Sequence, residues 1–138
     1  MISVLIVDDQ DLVREGLRML LEAEPDLAVA GEAADGGQAL AQARQLDPDV
    51  ILMDVRMPRM NGIEATTRLA QAGSRARILM LTTFNLDEYV YHALKADASG
   101  FLLKHASRDQ LTGGVRAVAV GETLLAPAAG SLCAPGCR

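Results

Sequence analysis

Three stretches of this chain are apolar at every position for four residues: Val4-Leu5-Ile6-Val7, Val50-Ile51-Leu52-Met53 and Ile78-Leu79-Met80-Leu81. Unbroken aliphatic runs of this length are the signature of strands buried on both faces, as in parallel sheets. Leu27–Ala33 is a weaker candidate and Gly100-Phe101-Leu102-Leu103 a short fifth. Segments of helical period lie between them. Val13, Leu17, Leu20 and Leu21 fall at i, i+4, i+7 and i+8, and Leu86, Tyr89, Val90, Ala93 and Leu94 form a full apolar stripe. The last stripe uses Leu111, Val115 and Val118. Four of the five predicted helices also carry a short polar residue followed three later by Glu or Gln: Asp35/Gln38, Asn61/Glu64, Asn85/Glu88 and Ser107/Gln110. The discordant element is Gly113-Gly114 inside the fifth predicted helix, at a cost of about 1 kcal/mol per glycine relative to alanine.

Five βα units in series predict an α/β fold, a single doubly wound parallel sheet with helices on both faces. The 138 residues fit one domain with a core of its own. Half of them are apolar but only 3% aromatic, with no Trp, so that core must be aliphatic. The net charge of -5 and the absence of a Lys/Arg block argue against direct nucleic-acid binding. Cys133 and Cys137 both lie in the last six residues, which suits free thiols better than a disulfide framework or a metal site. The amino terminus runs straight into Ile2–Val7 without the features of a signal peptide, and no apolar run approaches the roughly 20 residues of a membrane span. A cytoplasmic domain without membrane contact is the expectation.

Open parallel sheets bind ligands beyond the carboxyl ends of their strands, where the strand order reverses. The residues at those ends are Asp8-Asp9-Gln10-Asp11, Asp54-Val55-Arg56, Thr82-Thr83 and Lys104-His105. If the order is 2-1-3-4-5, Asp8, Asp9 and Asp54 converge at one edge, with Thr82 and Lys104 closing the other side. Three carboxylates held together repel unless a cation or protons neutralise them. Oxygen ligands of this kind suit a hard divalent ion such as Mg²⁺, or Mn²⁺ in its place. One carboxylate can then act as nucleophile toward a phosphoryl donor, with Lys104 as a point charge and the Thr82 hydroxyl as a hydrogen-bond donor. Asp11, a lone acid before a helix, is expected to be a cap or turn former instead.

At these residues the chain resembles the receiver domains of two-component response regulators. The matching stretches are Leu5-Ile6-Val7-Asp8-Asp9, Asp35-Gly36, Pro48–Asp54, Met57-Pro58-x-x-Asn61-Gly62, Leu81-Thr82 and Ala98-x-Gly100-Phe101-Leu102-Leu103-Lys104. The resemblance covers residues 1–122; residues 123–138 read as a linker stub or a tail added for expression. It implies a flavodoxin-like fold with strand order 2-1-3-4-5. It also implies that Asp54 is the phosphoacceptor, and that Asp8, Asp9, Asp54 and the backbone carbonyl of Arg56 hold Mg²⁺. Thr82 is implied to be the switch hydroxyl, Phe101 the aromatic switch and Lys104 the phosphate-contacting lysine. Val13-Arg14-x-Gly16-Leu17 and Leu81-Thr82-Thr83-Phe84-x-x-x-Glu88-Tyr89-Val90 resemble the branch carrying a LuxR-type helix-turn-helix output domain. The sequence departs from that branch at His105, where Asp is common.

The implied function is a phosphorylation-dependent switch in a phosphorelay, not a turnover enzyme. A sensor histidine kinase supplies the phosphoryl group, and the surface of the fourth helix, fifth strand and fifth helix changes to control a transcription-regulating output domain. Homodimerisation on phosphorylation is a further implication, and DNA is reached only through a C-terminal helix-turn-helix that this sequence does not contain. Tyr91 and Lys95 are candidate partner contacts, whereas Tyr89 and Leu94 belong to the apolar stripe. Two other classes remain open at this point. An Asp-nucleophile phosphatase would place an acid two residues after its nucleophile, where Arg56 and Gln10 stand instead. A phosphate-independent pseudo-receiver would lack part of the acid, Thr and Lys set.

Overall fold

The alternating runs build the layers they predict. In a computed structural model, which describes residues 1–82, 98–104, 106–122 and 124–125, the strands are β1 (Ile2–Val7), β2 (Leu27–Ala33), β3 (Val50–Asp54), β4 (Arg77–Thr82), β5 (Gly100–Leu103) and β6 (Leu124–Leu125). The helices are α1 (Asp11–Glu22), α2 (Gly36–Leu46), α3 (Gly62–Gln71) and α4 (Arg108–Ala119), the last being the fifth predicted from the sequence. The fourth predicted helix, with Tyr89, Tyr91, Leu94 and Lys95, lies outside the described residues, as does His105. All pairings are parallel, in the order β2-β1-β3-β4-β5-β6.

Burial explains why some strands read clearly and one did not. Val4–Val7, Val50–Met53 and Ile78–Leu81 sit in the centre of the sheet and are buried throughout. Each such side chain contributes roughly 1.5–3 kcal/mol. β2 is the edge strand, buried only at Leu27 and Ala33, so it needs no continuous apolar run. Its pairing with β1 shifts by one residue between Val29 and Gly31, leaving Ala30 as the extra residue of a bulge. At the other edge Leu124–Leu125 adds a short strand opposite Gly100 and Phe101. The sheet therefore reaches two residues into the stretch expected to be linker or tail, because the outer edge of β5 offers unpaired backbone groups.

Three of the four predicted capping pairs fall within the described residues. The side chains of Asp35, Asn61 and Ser107 accept the backbone N–H groups of Gln38, Glu64 and Gln110. Only Ser107/Gln110 is reciprocal; Gln38 turns to the N–H of Ala34, and Glu64 to Arg68. Asp11 departs from expectation: Gln10 occupies the cap position without a side-chain bond, and Asp11 is the first helical residue, paired with Arg14 one turn on. There its charge still favours the positive end of the helix dipole. Gly113 and Gly114 lie inside α4, whose Leu111, Val115 and Val118 are buried against the sheet. Among the described residues no helix is long and apolar enough to cross a membrane.

Candidate functional site

Register delivers the strand-end residues to one place. Val7 pairs with Met53, so Asp8 and Asp54 follow side by side on neighbouring strands. Asp54 pairs with Leu81, one residue before Thr82, and Thr82 pairs with Leu103, one residue before Lys104. The Lys104 N–H donates to the Thr82 carbonyl at 2.8 Å, carrying the pairing one step past the strand. A slip of one residue in any pair would turn these side chains to the opposite face of the sheet. Asp9, Gln10, Asp54, Val55, Arg56, Thr82 and Lys104 line a cleft of about 260 Å³.

Asp8 is wholly buried and Asp54 and Thr82 nearly so, while Asp9 is exposed. Asp8 Oδ1 accepts the Gln10 N–H at 2.8 Å, a local turn that fixes the carboxylate. Lys104 Nζ lies 2.7 Å from Asp8 Oδ2 and donates to Asp54 Oδ2 at 3.1 Å. Asp54 Oδ1 accepts a long 3.4 Å bond from the Arg56 N–H. One ammonium thus serves two buried carboxylates. Burial and then the charge of Asp8 push the Asp54 pKa up to about 6, against the opposing pull of Lys104 and the Arg56 N–H. Burial alone would lower the Lys104 pKa, but the close contact with Asp8, the hydrogen bond to Asp54 and the charges of both carboxylates raise it above the ordinary lysine value.

The residues fit a divalent cation. Asp8, Asp9 and Asp54 each offer an oxygen, all within 4.8 Å of one another. Asp8 Oδ2 is buried without a hydrogen bond; its contact with Lys104 is ionic only, which leaves lone pairs for a cation. Phe101, assigned to the same machinery by resemblance, lies in the core beside Met80 of β4.

Two supporting features were not legible as site residues. The β3–α3 loop, residues 55–61, is held against the start of α2: the Gly36 N–H donates to the Met60 carbonyl at 3.1 Å, and Arg59 pairs with Asp35 at 2.6 Å. Glycine is needed both where α2 meets that loop and where the loop enters α3. A Cβ on Gly36 would lie 2.6 Å from the Met60 carbonyl, and one on Gly62 would lie 2.2 Å from the Asp54 carbonyl. The second feature is Arg14, whose Nη1 donates to the Asp8 carbonyl from outside the cleft. A larger groove of about 680 Å³ between the carboxyl ends of α2 and α3 lies away from these strand ends.

The family model for the response regulator receiver domain matches residues 4–116. An uncharacterized transcriptional regulatory protein, YxjL of Bacillus subtilis (strain 168), is 47% identical over 123 residues, 89% of this chain and 56% of that protein. The transcriptional regulatory protein LiaR of the same organism is 44% identical over 125 residues, 91% of this chain and 59% of that protein. The chain therefore spans little more than half the length of these curated relatives. Among solved structures, a LuxR-family two-component response regulator from Aurantimonas sp. SI85-9A1 superposes with a TM-score of 0.92 at 34% identity, covering 99% of this chain and 97% of that one. The signal receiver domain of the response regulator NarL from Mycobacterium tuberculosis superposes at 0.85 with 35% identity, covering 88% and 98% respectively. With strand order, strand-end chemistry and these likenesses in agreement, the chain belongs to the response regulator receiver domain family, in the branch of LuxR- and NarL-type transcriptional regulators.

Proposed function

We propose that this receiver domain is a phosphorylation-dependent switch in which Asp54 takes a phosphoryl group from a phosphohistidine of a sensor histidine kinase. The observation that carries the reading is one ammonium, Lys104, shared by two buried carboxylates, with Asp54 pushed up to about 6 and facing an open cleft. An Asp54 oxygen forms a bond to phosphorus while the P–N bond of the donor breaks, and the leaving nitrogen keeps the electron pair. The product is an acyl phosphate. Lys104 offsets the charge gathering on the phosphoryl oxygens, and the Thr82 hydroxyl donates to one of them. Asp8, Asp9, Asp54 and the carbonyl of Arg56 are the groups that would hold Mg²⁺ or Mn²⁺, which when bound supplies further positive charge against those oxygens.

The new group carries about −1.5 to −2 charge and three acceptor oxygens. Movement of Thr82 toward them frees space beside Phe101, whose ring has no hydroxyl and is held by packing alone. The surface of the fourth predicted helix, β5 and α4 then shifts toward a second packing, since a difference of a few kcal/mol between states suffices. The switch acts in the cytoplasm, with the kinase as partner, a homodimer as the phosphorylated form, and DNA contacted only through a helix-turn-helix domain. Receiver domains of this kind are signalling proteins rather than turnover enzymes.

Exposure to a small phosphodonor with Mg²⁺, followed by intact mass, tests the assignment. The expected result is one labile phosphoryl adduct that is lost in Asp54→Asn. An adduct persisting in that variant overturns Asp54 as acceptor, and multiple turnover of a stable ester favours a phosphatase.

A further inference from the structure

Asp9 is the one carboxylate of the acidic cluster whose side chain has no partner among the described residues. Asp8 is held at both oxygens, by the Gln10 N–H and by Lys104, and its own N–H donates to Ala33 at 3.0 Å. Asp54 is held by Lys104 and the Arg56 N–H. The direction of the Asp9 side chain depends instead on the Asp8–Asp9 peptide plane. That plane is gripped from behind. Arg14, half-buried on α1, donates from Nη1 to the Asp8 carbonyl at 2.5 Å, from Nε to Glu32 Oε1 at 3.2 Å, and from Nη2 to Asp11. Glu32 sits on β2, so the guanidinium is anchored to the sheet before it reaches the loop. All three nitrogens are engaged at once, which a planar fork can do and a lysine ammonium on a flexible stem cannot.

We propose that Arg14 is a positioning residue for Asp9: it fixes the Asp8–Asp9 peptide, and thereby aims the exposed carboxylate at the cation position shared with Asp8 and Asp54. This rests on the reading of those three acids as cation ligands. Arg14 does not touch the cleft or the transferred group. Its effect therefore falls on metal affinity and not on the phosphorylation rate at saturating metal. Partners behind metal ligands typically carry a factor of about 10 to 100 in affinity, and one that acts through the backbone belongs at the lower end.

The test is Mn²⁺ binding alone, read by water-proton relaxation on the full chain. Arg14→Gln is expected to weaken Mn²⁺ by about 10-fold, and Arg14→Lys to recover little of it, since one ammonium cannot serve three acceptors. Phosphorylation by a small donor is expected to return to nearly the wild-type rate once Mn²⁺ is raised above the new dissociation constant. Because Arg14 acts through Asp9, adding Arg14→Gln to Asp9→Asn is expected to change affinity by less than about 2-fold. Arg18→Gln, which removes the neighbouring pairs to Glu32 and Glu22, controls for loss of stability and is expected to leave affinity unchanged. A folded Arg14→Gln with wild-type affinity, or a fully additive double variant, overturns the proposal. If Arg14→Gln does not fold, Glu32→Gln carries the same test, with about a 3-fold loss expected and no loss overturning it. A wild-type chain that binds no Mn²⁺, or binds it equally well as Asp54→Asn, overturns the cation site itself, an outcome distinct from failure of the Arg14 assignment alone.

Discussion

Lys104 Nζ lies 2.7 Å from Asp8 Oδ2, an oxygen wholly buried and without a hydrogen bond, and the same nitrogen reaches Asp54 at 3.1 Å. The ammonium is the charge that makes two buried carboxylates tolerable. Lys104→Met is expected to destabilise the metal-free protein by about 3 kcal/mol, because it strands charge in the interior instead of removing a pair. Added Mg²⁺ is expected to recover more stability in the variant than in wild type, since it takes over the neutralising role. Urea unfolding with and without Mg²⁺ checks both; equal Mg²⁺ effects would remove the ammonium from this account.

The raised pKa of Asp54 gives a pH dependence of definite sign. A carboxyl with a folded value near 6 and an unfolded value of 3.8 binds its proton more tightly in the native state. Its ionisation therefore costs stability as pH rises from about 4 to about 6, and the cost is complete above that. Two units correspond to at most about 3 kcal/mol. Asp54→Asn is expected to stabilise the metal-free protein by up to that amount at pH 7.5 and to be neutral near pH 3.5. Denaturant midpoints at the two pH values decide it, and a variant less stable than wild type at pH 7.5 contradicts it.

The site was legible because Asp8, Asp54, Thr82 and Lys104 each follow directly on an aliphatic run whose end is visible in the sequence. Asp8 follows Val7, Lys104 follows Leu103, and Asp54 and Thr82 close β3 and β4. Caps were legible for the same reason, a local signal with a local cause. The edge strand β2 was faint because its burial is partial, and β6 because two leucines carry no period at all. Contacts such as Arg59 with Asp35, 24 residues apart, leave no trace in any periodicity. The misjudged acid, Asp11, lost the cap position to Gln10, whose N–H is already taken by Asp8.

Two glycines are expected to respond to alanine with opposite signs. Gly62 begins α3 with its N–H on the Val55 carbonyl, and a Cβ there would lie 2.2 Å from the Asp54 carbonyl and 2.9 Å from Met53. Backbone cannot yield as a side-chain tip can, so Gly62→Ala is expected to cost several kcal/mol and to displace the loop carrying Arg56. Gly113 faces open space in the middle of α4, and Gly113→Ala is expected to gain about 1 kcal/mol. Thermal unfolding of the two variants side by side measures the contrast.

Asp35 combines a cap with a latch, and its two roles separate by pH and by partner. Its Oδ1 accepts the Gln38 N–H at 2.9 Å, and its Oδ2 receives Arg59 from the loop that follows Asp54. These bonds, the Gln38 N–H first and Arg59 second, hold its pKa below the ordinary value of 3.8. A depressed carboxyl contributes stability above its unfolded pKa and loses it as pH falls through the folded one. Asp35→Ala is therefore expected to cost about 1–2 kcal/mol at pH 7, with the gap to wild type narrowing below pH 3.8. Arg59→Ala is expected to cost at most about 1 kcal/mol, because its side chain is 73% exposed and an ion pair in water is weak. The cap therefore outweighs the latch. Urea unfolding of both variants at pH 7 and pH 3 tests the order, and an Arg59→Ala loss equal to that of Asp35→Ala would reverse it.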